Sequence, residues 1–597
     1  MAPLAALVRV LCLGLGLLCS STGKSTNFLE LVNTIIDNDV NPQPIYNRVG
    51  GNNVISNQRE DAPASSNTTL SFSVSIETNK VMHTVDRRYL STGFSAKEVA
   101  FPPPVAFDPN SVLLQTLMRG LSPAVLRVGG RSGDEVLFMV NGSTNAIPIP
   151  SFDVDHFITG EQWKGLNEFT RKCGVDLAFT LNVAVRKGDS WDPTNAKELL
   201  DFNANHGYRV IWQLGNEPNR FKKNYLMTIP ASQLAKDFIT LRGILSEDRY
   251  RYSNELVGPD IGHFPIHKCV RTDMPDFSST TATYLQRFLR DAGDAINATT
   301  LHFYNLHGAS SNSIHNFTDP DQLFRTRCEL QIFRKLMNGS RPTGFRVKWL
   351  GETSFVADGG LVNVSDRYVA GFPILHNLGL AAEMEISVFI YWNLLVGPYG
   401  LIDSHNNTYI PNPLYWAFLL HKRLLGTHVL SVSYALDGHT GEDTEAEEKK
   451  SYVHIFGTHV LSVSYALDGH TGEDTEAEEK KSYVHIFAHC TLISPLYPAG
   501  AVTMMVLNLH NDSEASLHLT GDLVNKNVYE YLLTPPGGDL TSKNTTLNGH
   551  LLKMKNSTHF PDIIPRPLPV GSPIVLPPET YGFYVIRDAN APACRQN

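Results

Sequence analysis

Eight short β-rich runs recur between residues 88 and 392, each closing on Gly or polar residues and each followed by a segment of helical composition. They span 88–94, 124–128, 175–183, 209–214, 256–259, 299–304, 347–350 and 386–392. The segments between them, 193–205 and 281–291 among them, mix apolar and polar residues at helical spacing. Such alternation builds parallel sheet, and eight parallel strands close into a barrel. The predicted class is therefore α/β, a (β/α)8 barrel over residues 85–420.

The flanks have a different grammar. Residues 69–76, Thr-Leu-Ser-Phe-Ser-Val-Ser-Ile, alternate polar with apolar, the period of a half-buried strand. After residue 420 alternation returns, as at 501–509 and 581–586, punctuated by turn clusters such as Pro535-Pro536-Gly537-Gly538. That predicts a β-sandwich over 421–597, with a strand within 68–84 joining one of its sheets. Residues 426–456 recur without a single substitution as 457–487. Structural repeats drift and come in longer runs, so this pair reads as a recent duplication or a gene-model error. A compact sandwich needs one copy, and the other is expected to protrude or to displace an edge.

At the start of the chain, Arg9 precedes an apolar stretch at 10–18, and small residues follow at Ser20, Ser21 and Gly23. Residues 1–23 therefore read as a signal peptide. Residues 24–67, rich in Asn, Ser, Pro and Gly, read as a poorly ordered lead-in. No later run reaches the roughly 18 apolar residues of a membrane span. Ten glycosylation sequons, at Asn67, Asn141, Asn297, Asn316, Asn338, Asn363, Asn406, Asn511, Asn544 and Asn556, fit a secretory route. Five cysteines lie beyond the signal, so they cannot all pair internally, and none has metal-ligand spacing. No metal and no cofactor is expected. The formal charge of −9 is mild for this length and argues against a nucleic-acid partner.

Two glutamates sit just past apolar strands. The fourth run leads into Gly215-Asn216-Glu217-Pro218-Asn219, and the seventh into Gly351-Glu352-Thr353-Ser354. Strand ends at the carboxyl face are where barrel enzymes keep their chemistry. The pair lies 135 residues apart, the length of three βα units, so both face one cleft. Glycoside hydrolysis needs a proton donor for the leaving oxygen and a second carboxylate for the anomeric carbon, which two such glutamates supply. An isolated glutamate at a strand end is as commonly a helix cap or an ion-pair partner; the paired contexts favour the chemical reading. Asn216 adds an amide able to hydrogen-bond a sugar hydroxyl.

Several strings resemble the heparanase-type members of glycoside hydrolase family 79: Leu214-Gly215-Asn216-Glu217-Pro218-Asn219, Trp349-Leu350-Gly351-Glu352-Thr353-Ser354, and Gly120 through Gly130 (Gly-Leu-Ser-Pro-Ala-Val-Leu-Arg-Val-Gly-Gly). Gly258-Pro259-Asp260-Ile261-Gly262, Leu507-Asn508-Leu509-His510-Asn511 and the closing Tyr581 to Arg587 extend the resemblance from about residue 69 to the C-terminus. It implies a barrel with a β-sandwich, endo-β-glucuronidase action on heparan sulfate with retention, Glu217 as acid/base and Glu352 as nucleophile. It further implies substrate contacts from His302, Tyr304, Gly359, Gly397 and Tyr399, and a disulfide between Cys490 and Cys594.

The departures concern charge and maturation. Only roughly 40 residues join Gly130 to Gly174, where the family carries a long excised segment. The family's basic cluster after Gly-Pro-Asp is replaced by His263-Phe264-Pro265-Ile266-His267-Lys268-Cys269, an Arg after the sixth strand by Ala309, and a Thr-Lys pair by Arg131-Ser132. Sulfates are usually held by Arg and Lys, so highly sulfated substrates are disfavoured. The expected protein is a monomeric, secreted or lysosomal glycosidase acting on heparan sulfate proteoglycans of the extracellular matrix. A non-catalytic heparan-sulfate-binding protein and an exo-acting β-glucuronidase stay open as alternatives.

Overall fold

The computed structural model describes residues 68–100, 107–140, 156–264, 280–307, 313–339, 347–405, 408–437 and 483–595. Eight parallel strands form one sheet: Leu90–Ser95, Val125–Gly129, Asp176–Leu181, Val210–Leu214, Val257–Ile261, Ala298–Leu306, Val347–Val356 and Val388–Trp392, the first to eighth strands. In space they run fourth, third, second, first, eighth, seventh, sixth, fifth. A parallel bridge between Trp212 and Leu256 joins the fourth strand to the fifth, and Trp212 N–H donates to Glu255 O at 2.8 Å. The sheet thereby closes into the expected barrel.

Strand periodicity dictates what fills the lumen. Val125, Ala178, Ile211, Val257, Ala298, Trp349, Val388 and Ile390 form a buried apolar cluster of their own, drawn from seven of the eight strands. Two residues further along, on the same face of each strand, the side chains turn polar: Arg127, Thr180, Gln213 and Thr300. Gln213 Oε1 accepts from Arg127 Nε at 3.0 Å and from Thr180 Oγ1 at 3.2 Å. A dry plug thus carries a hydrogen-bonded polar layer, and the carboxyl ends of the strands stand above it.

The C-terminal region packs two sheets face to face. In one, Val432–Leu436, Thr68–Ile76, Ser513–Leu519 and Ile574–Leu576 lie side by side. The N-terminal strand pairs antiparallel with Val432–Leu436 and parallel with Ser513–Leu519, filling the place its isolation in sequence called for. The other sheet centres on Leu425–Leu430, Val484–Thr491, Val502–Asn508, Thr580–Ile586 and Val528–Thr534. Phe72, Val74, Val484, Ile486, Val502, Met504 and Tyr584 meet between the sheets. The outer face of the second sheet, including Phe487, Met505 and Phe583, joins the barrel's core, where the Gly371–Glu383 helix is buried along its whole length. The last barrel helix runs Pro413–Leu424, so the chain re-enters the sandwich at Leu425.

Among the described residues, the duplicated segment contributes one copy's worth of sheet, taken from both copies. Leu425–Leu430 and Val432–Leu436 use the start of the first copy, and Val484–Thr491 uses the end of the second. Residues 438–482, with the rest of both copies, lie outside the described residues, as do residues 1–67 with the expected signal peptide and lead-in. Cys490 and Cys594 are bonded to each other across 104 residues of chain. Cys328 is also disulfide-bonded, whereas Cys173 is a buried thiol.

Candidate active site

Glu217 ends the turn after the fourth strand in a left-handed conformation, φ 50° and ψ 52°, with its N–H bonded to Asp260 O at 2.8 Å. Glu352 lies within the seventh strand, whose register with the sixth shifts at Leu301/His302 so that His302 pairs with Glu352. Gly351 makes that approach possible: a Cβ there would stand 2.8 Å from Asp260 Oδ1. His302 and Tyr304, two residues apart on one strand face, both point at these carboxylates.

His302 is fully buried at the centre. Its Nδ1 lies 3.2 Å from Glu217 Oε1 and 3.9 Å from Glu352 Oε2, while Nε2 lies 3.5 Å from Asp260 Oδ1. Two oxygens this near one nitrogen are at most about 7 Å apart, compatible with the roughly 5 Å carboxyl spacing of retaining glycosidases. Tyr304 donates its hydroxyl to Glu352 Oε1 at 2.6 Å. Arg127, also fully buried, donates to Glu352 Oε2 at 2.8 Å, Asn216 Oδ1 at 2.8 Å and Asp260 Oδ2 at 2.9 Å.

The protonation pattern follows from these contacts. Burial disfavours a charged His302, but Glu352, Asp260 and Glu217 outweigh it and raise the imidazole to about 9. Burial would likewise raise Asp260, yet Arg127 and His302 hold it down at about 2. Glu217 is lowered against its own burial, first by His302 and then by Arg220, whose NH1 lies 3.2 Å from Glu217 Oε2. Three carboxyl groups, two guanidiniums and one imidazole thus share the site, and its carboxyl neighbours favour the charged form of His302.

The model of glycosyl hydrolase family 79, N-terminal domain, matches residues 104–379. Heparanase of Bos taurus is 32% identical over 563 residues, covering 87% of this chain and 91% of its own. The chain belongs to glycoside hydrolase family 79. Among other family relatives, inactive heparanase-2 of Homo sapiens is 31% identical over 442 residues (73% of this chain, 66% of its own), and hyaluronoglucuronidase of Hirudo nipponia is 28% identical over 561 residues (88% and 99%). The solved 4-O-α-L-rhamnosyl-β-D-glucuronidase of Fusarium oxysporum shares the fold at TM-score 0.55 and 14% identity, covering 86% of this chain and 100% of its own.

Other sequence-expected residues of this family-79 barrel gather around Glu352. Tyr399 is buried, with its hydroxyl pushed up by burial and then by Glu352. A Cβ on Gly397 would stand 3.9 Å from Gly359 O and 4.0 Å from Tyr399, and both glycines have positive φ. Asn216 spends its Oδ1 on Arg127 and its N–H on Asp134 Oδ2, at 2.8 Å each. Of the sequon asparagines, Asn297, Asn363, Asn511, Asn544 and Asn556 are exposed, Asn316 is half-buried and Asn338 lies in the Pro320–Gly339 helix. Asn67, Asn141 and Asn406 lie outside the described residues, as do Ala309, Lys268 and Cys269.

Arg127, Asp260, Asp134 and Arg220 were not singled out by sequence. The first two carried a signal: each is a charged residue inside an apolar strand, in Leu126-Arg127-Val128 and Pro259-Asp260-Ile261. A buried charge survives only if paired, so each announces a partner in the lumen. Asp134 accepts N–H groups from Val183 at 3.0 Å and Asn216 at 2.8 Å, and burial pushes its carboxyl up to about 8.

Proposed function

We propose that the chain is a retaining endo-β-glucuronidase that cleaves β-glucuronide linkages of heparan sulfate or a related glycosaminoglycan, with Glu217 as acid/base and Glu352 as nucleophile. One observation carries the reading: a single buried imidazole contacts both glutamates while Tyr304 and Arg127 occupy both oxygens of Glu352. Accepting from two donors fixes that carboxylate for attack on the anomeric carbon.

The proton follows from charge balance. For the first step His302 Nδ1 passes its proton to Glu217 Oε1, and Glu217 gives it to the glycosidic oxygen as the bond breaks. Glu352 loses its negative charge by forming the glycosyl ester in the same step, so the cluster stays neutral. With that charge gone His302 loses the strongest of the attractions that held its proton. In the second step Glu217 takes a proton from the attacking water, returns it to His302, and Glu352 regains its charge. Asn216 donates its amide Nδ2 to the sugar, and backbone around Gly359 and Gly397, with Tyr399, receives the uronate.

Heparan sulfate, hyaluronan and an aryl β-glucuronide, tested side by side, decide the reading. Endo action gives a fall in chain length with new reducing ends; exo action releases only terminal uronate and the aryl group; a binding protein does neither. Failure to generate reducing ends from either polymer overturns the proposal.

A further inference from the structure

Glu217 has two charged neighbours of different character. His302, from the sixth strand, is fully buried and fixed by Asp260 and Glu352. Arg220 comes from the Pro218–Arg220 turn of Glu217's own loop and is about one-third exposed, at 32% of its side chain. Its guanidinium lies across Gly262, where a Cβ would stand 2.6 Å from Nε. One end meets Glu217 Oε2 at 3.2 Å, and NH2 donates to His263 Nδ1. His263 stacks on His307 with ring centroids 4.0 Å apart, and Phe264 N–H is tied to the buried Glu329 at 2.6 Å.

We propose that Arg220 is a positioning residue that sets the alkaline limit of the enzyme by easing loss of the one proton that His302 and Glu217 share. The inference rests on Glu217 being the acid/base. A cation within hydrogen-bond reach of a carboxylate favours the charged form, and the acid must be protonated when the glycosidic bond breaks. Arg220 therefore makes the proton that Glu217 draws from His302 easier to lose and confines catalysis to lower pH.

Several elements bring charged or titratable groups around Glu217. The second strand brings Arg127, whose charge is committed to Glu352 and Asp260. The fifth brings Asp260 and, just beyond it, His263; the sixth brings His302 and His307; the seventh brings Glu352; Asp134 reaches the loop through Asn216. Arg325 acts at longer range on His263 and His307. Burial and then Arg220 hold His263 down at about 3, so it stays neutral and able to accept from Arg220 across the working pH range. Of the cations near Glu217, Arg220 alone among the described residues reaches it from the solvent side.

The test is the pH dependence of kcat/KM on a glucuronide oligosaccharide for Arg220→Ser, Arg220→Lys and Gly262→Ala. Arg220→Ser should move the alkaline limb upward by about one pH unit, the low end for a nearby charge because Arg220 is partly solvated. Arg220→Lys should keep the limb near its original position, and Gly262→Ala, which displaces the guanidinium, should move it as Arg220→Ser does. An alkaline limb left in place in Arg220→Ser overturns the proposal. Failure of the underlying reading looks different: Glu217→Gln would then cleave with the original limb.

Discussion

The Arg127 guanidinium donates to Glu352 Oε2 at 2.8 Å from a position with no solvent exposure. Three more of its donors go to Asp260, Asn216 and Gln213, so one side chain ties together the ends of four strands. Removing one partner of a buried ion pair strands the other, at a cost of roughly 3–5 kcal/mol.

Arg127→Ala should therefore unfold at a markedly lower denaturant midpoint and lose activity. Arg127→Lys keeps the charge but cannot reproduce the forked contacts, so it should recover much of the stability and little of kcat. Denaturant titration beside kinetics checks this. An Arg127→Lys enzyme with unimpaired kcat would show that charge alone matters.

Stability should fall toward alkaline pH. His302 is raised from 6.5 unfolded to about 9 folded. A raised group contributes stability that is full below the unfolded value and lost as pH climbs through the folded one. The window is therefore about 6.5 to 9, and a shift of this size corresponds to on the order of 3 kcal/mol. Asp134, Glu329 and Glu383, each raised to about 8 chiefly by burial, act with the same sign from lower pH. Tm measured from pH 5 to 9.5 should decline, and His302→Gln should flatten the upper part of the slope. A Tm that rises across this range contradicts the assignment of protons.

Weakly sulfated chains should be preferred over heparin. His263 and His307, beside Glu217, are both disfavoured as cations by burial and then by Arg220. Arg131, which could meet a sulfate, is exposed and pairs with Glu135 at 2.9 Å. A charged hydrogen bond is typically worth about 1.5–3 kcal/mol, so each missing contact weakens a sulfated ligand about tenfold or more. Specificity constants on size-matched oligosaccharides differing only in sulfation measure this. Preference for the most sulfated, abolished by Arg131→Ala, would reverse it.

The barrel was legible because each of its strands is a short apolar run ended by Gly or a polar residue, and such a run is buried on both faces. Register was not: the shift at Leu301/His302 that sets His302 opposite Glu352 leaves no mark in residue periodicity. The glutamates stood out by their places at strand ends. Asp134 and Arg220 did not, because one acts through two backbone N–H groups and the other is held against Glu217 by a loop 43 residues away. The passage of the chain from one sandwich sheet to the other at Ser431 was likewise hidden in a continuous alternating run.

The division of labour between the two glutamates is tested most directly by trapping the covalent intermediate. A 2-fluoro-glucuronide with a good leaving group should label the peptide carrying Glu352 in the wild type and in Glu217→Gln, and should not label Glu352→Gln. Mass spectrometry that finds the label on Glu217, or on neither glutamate, would contradict the account.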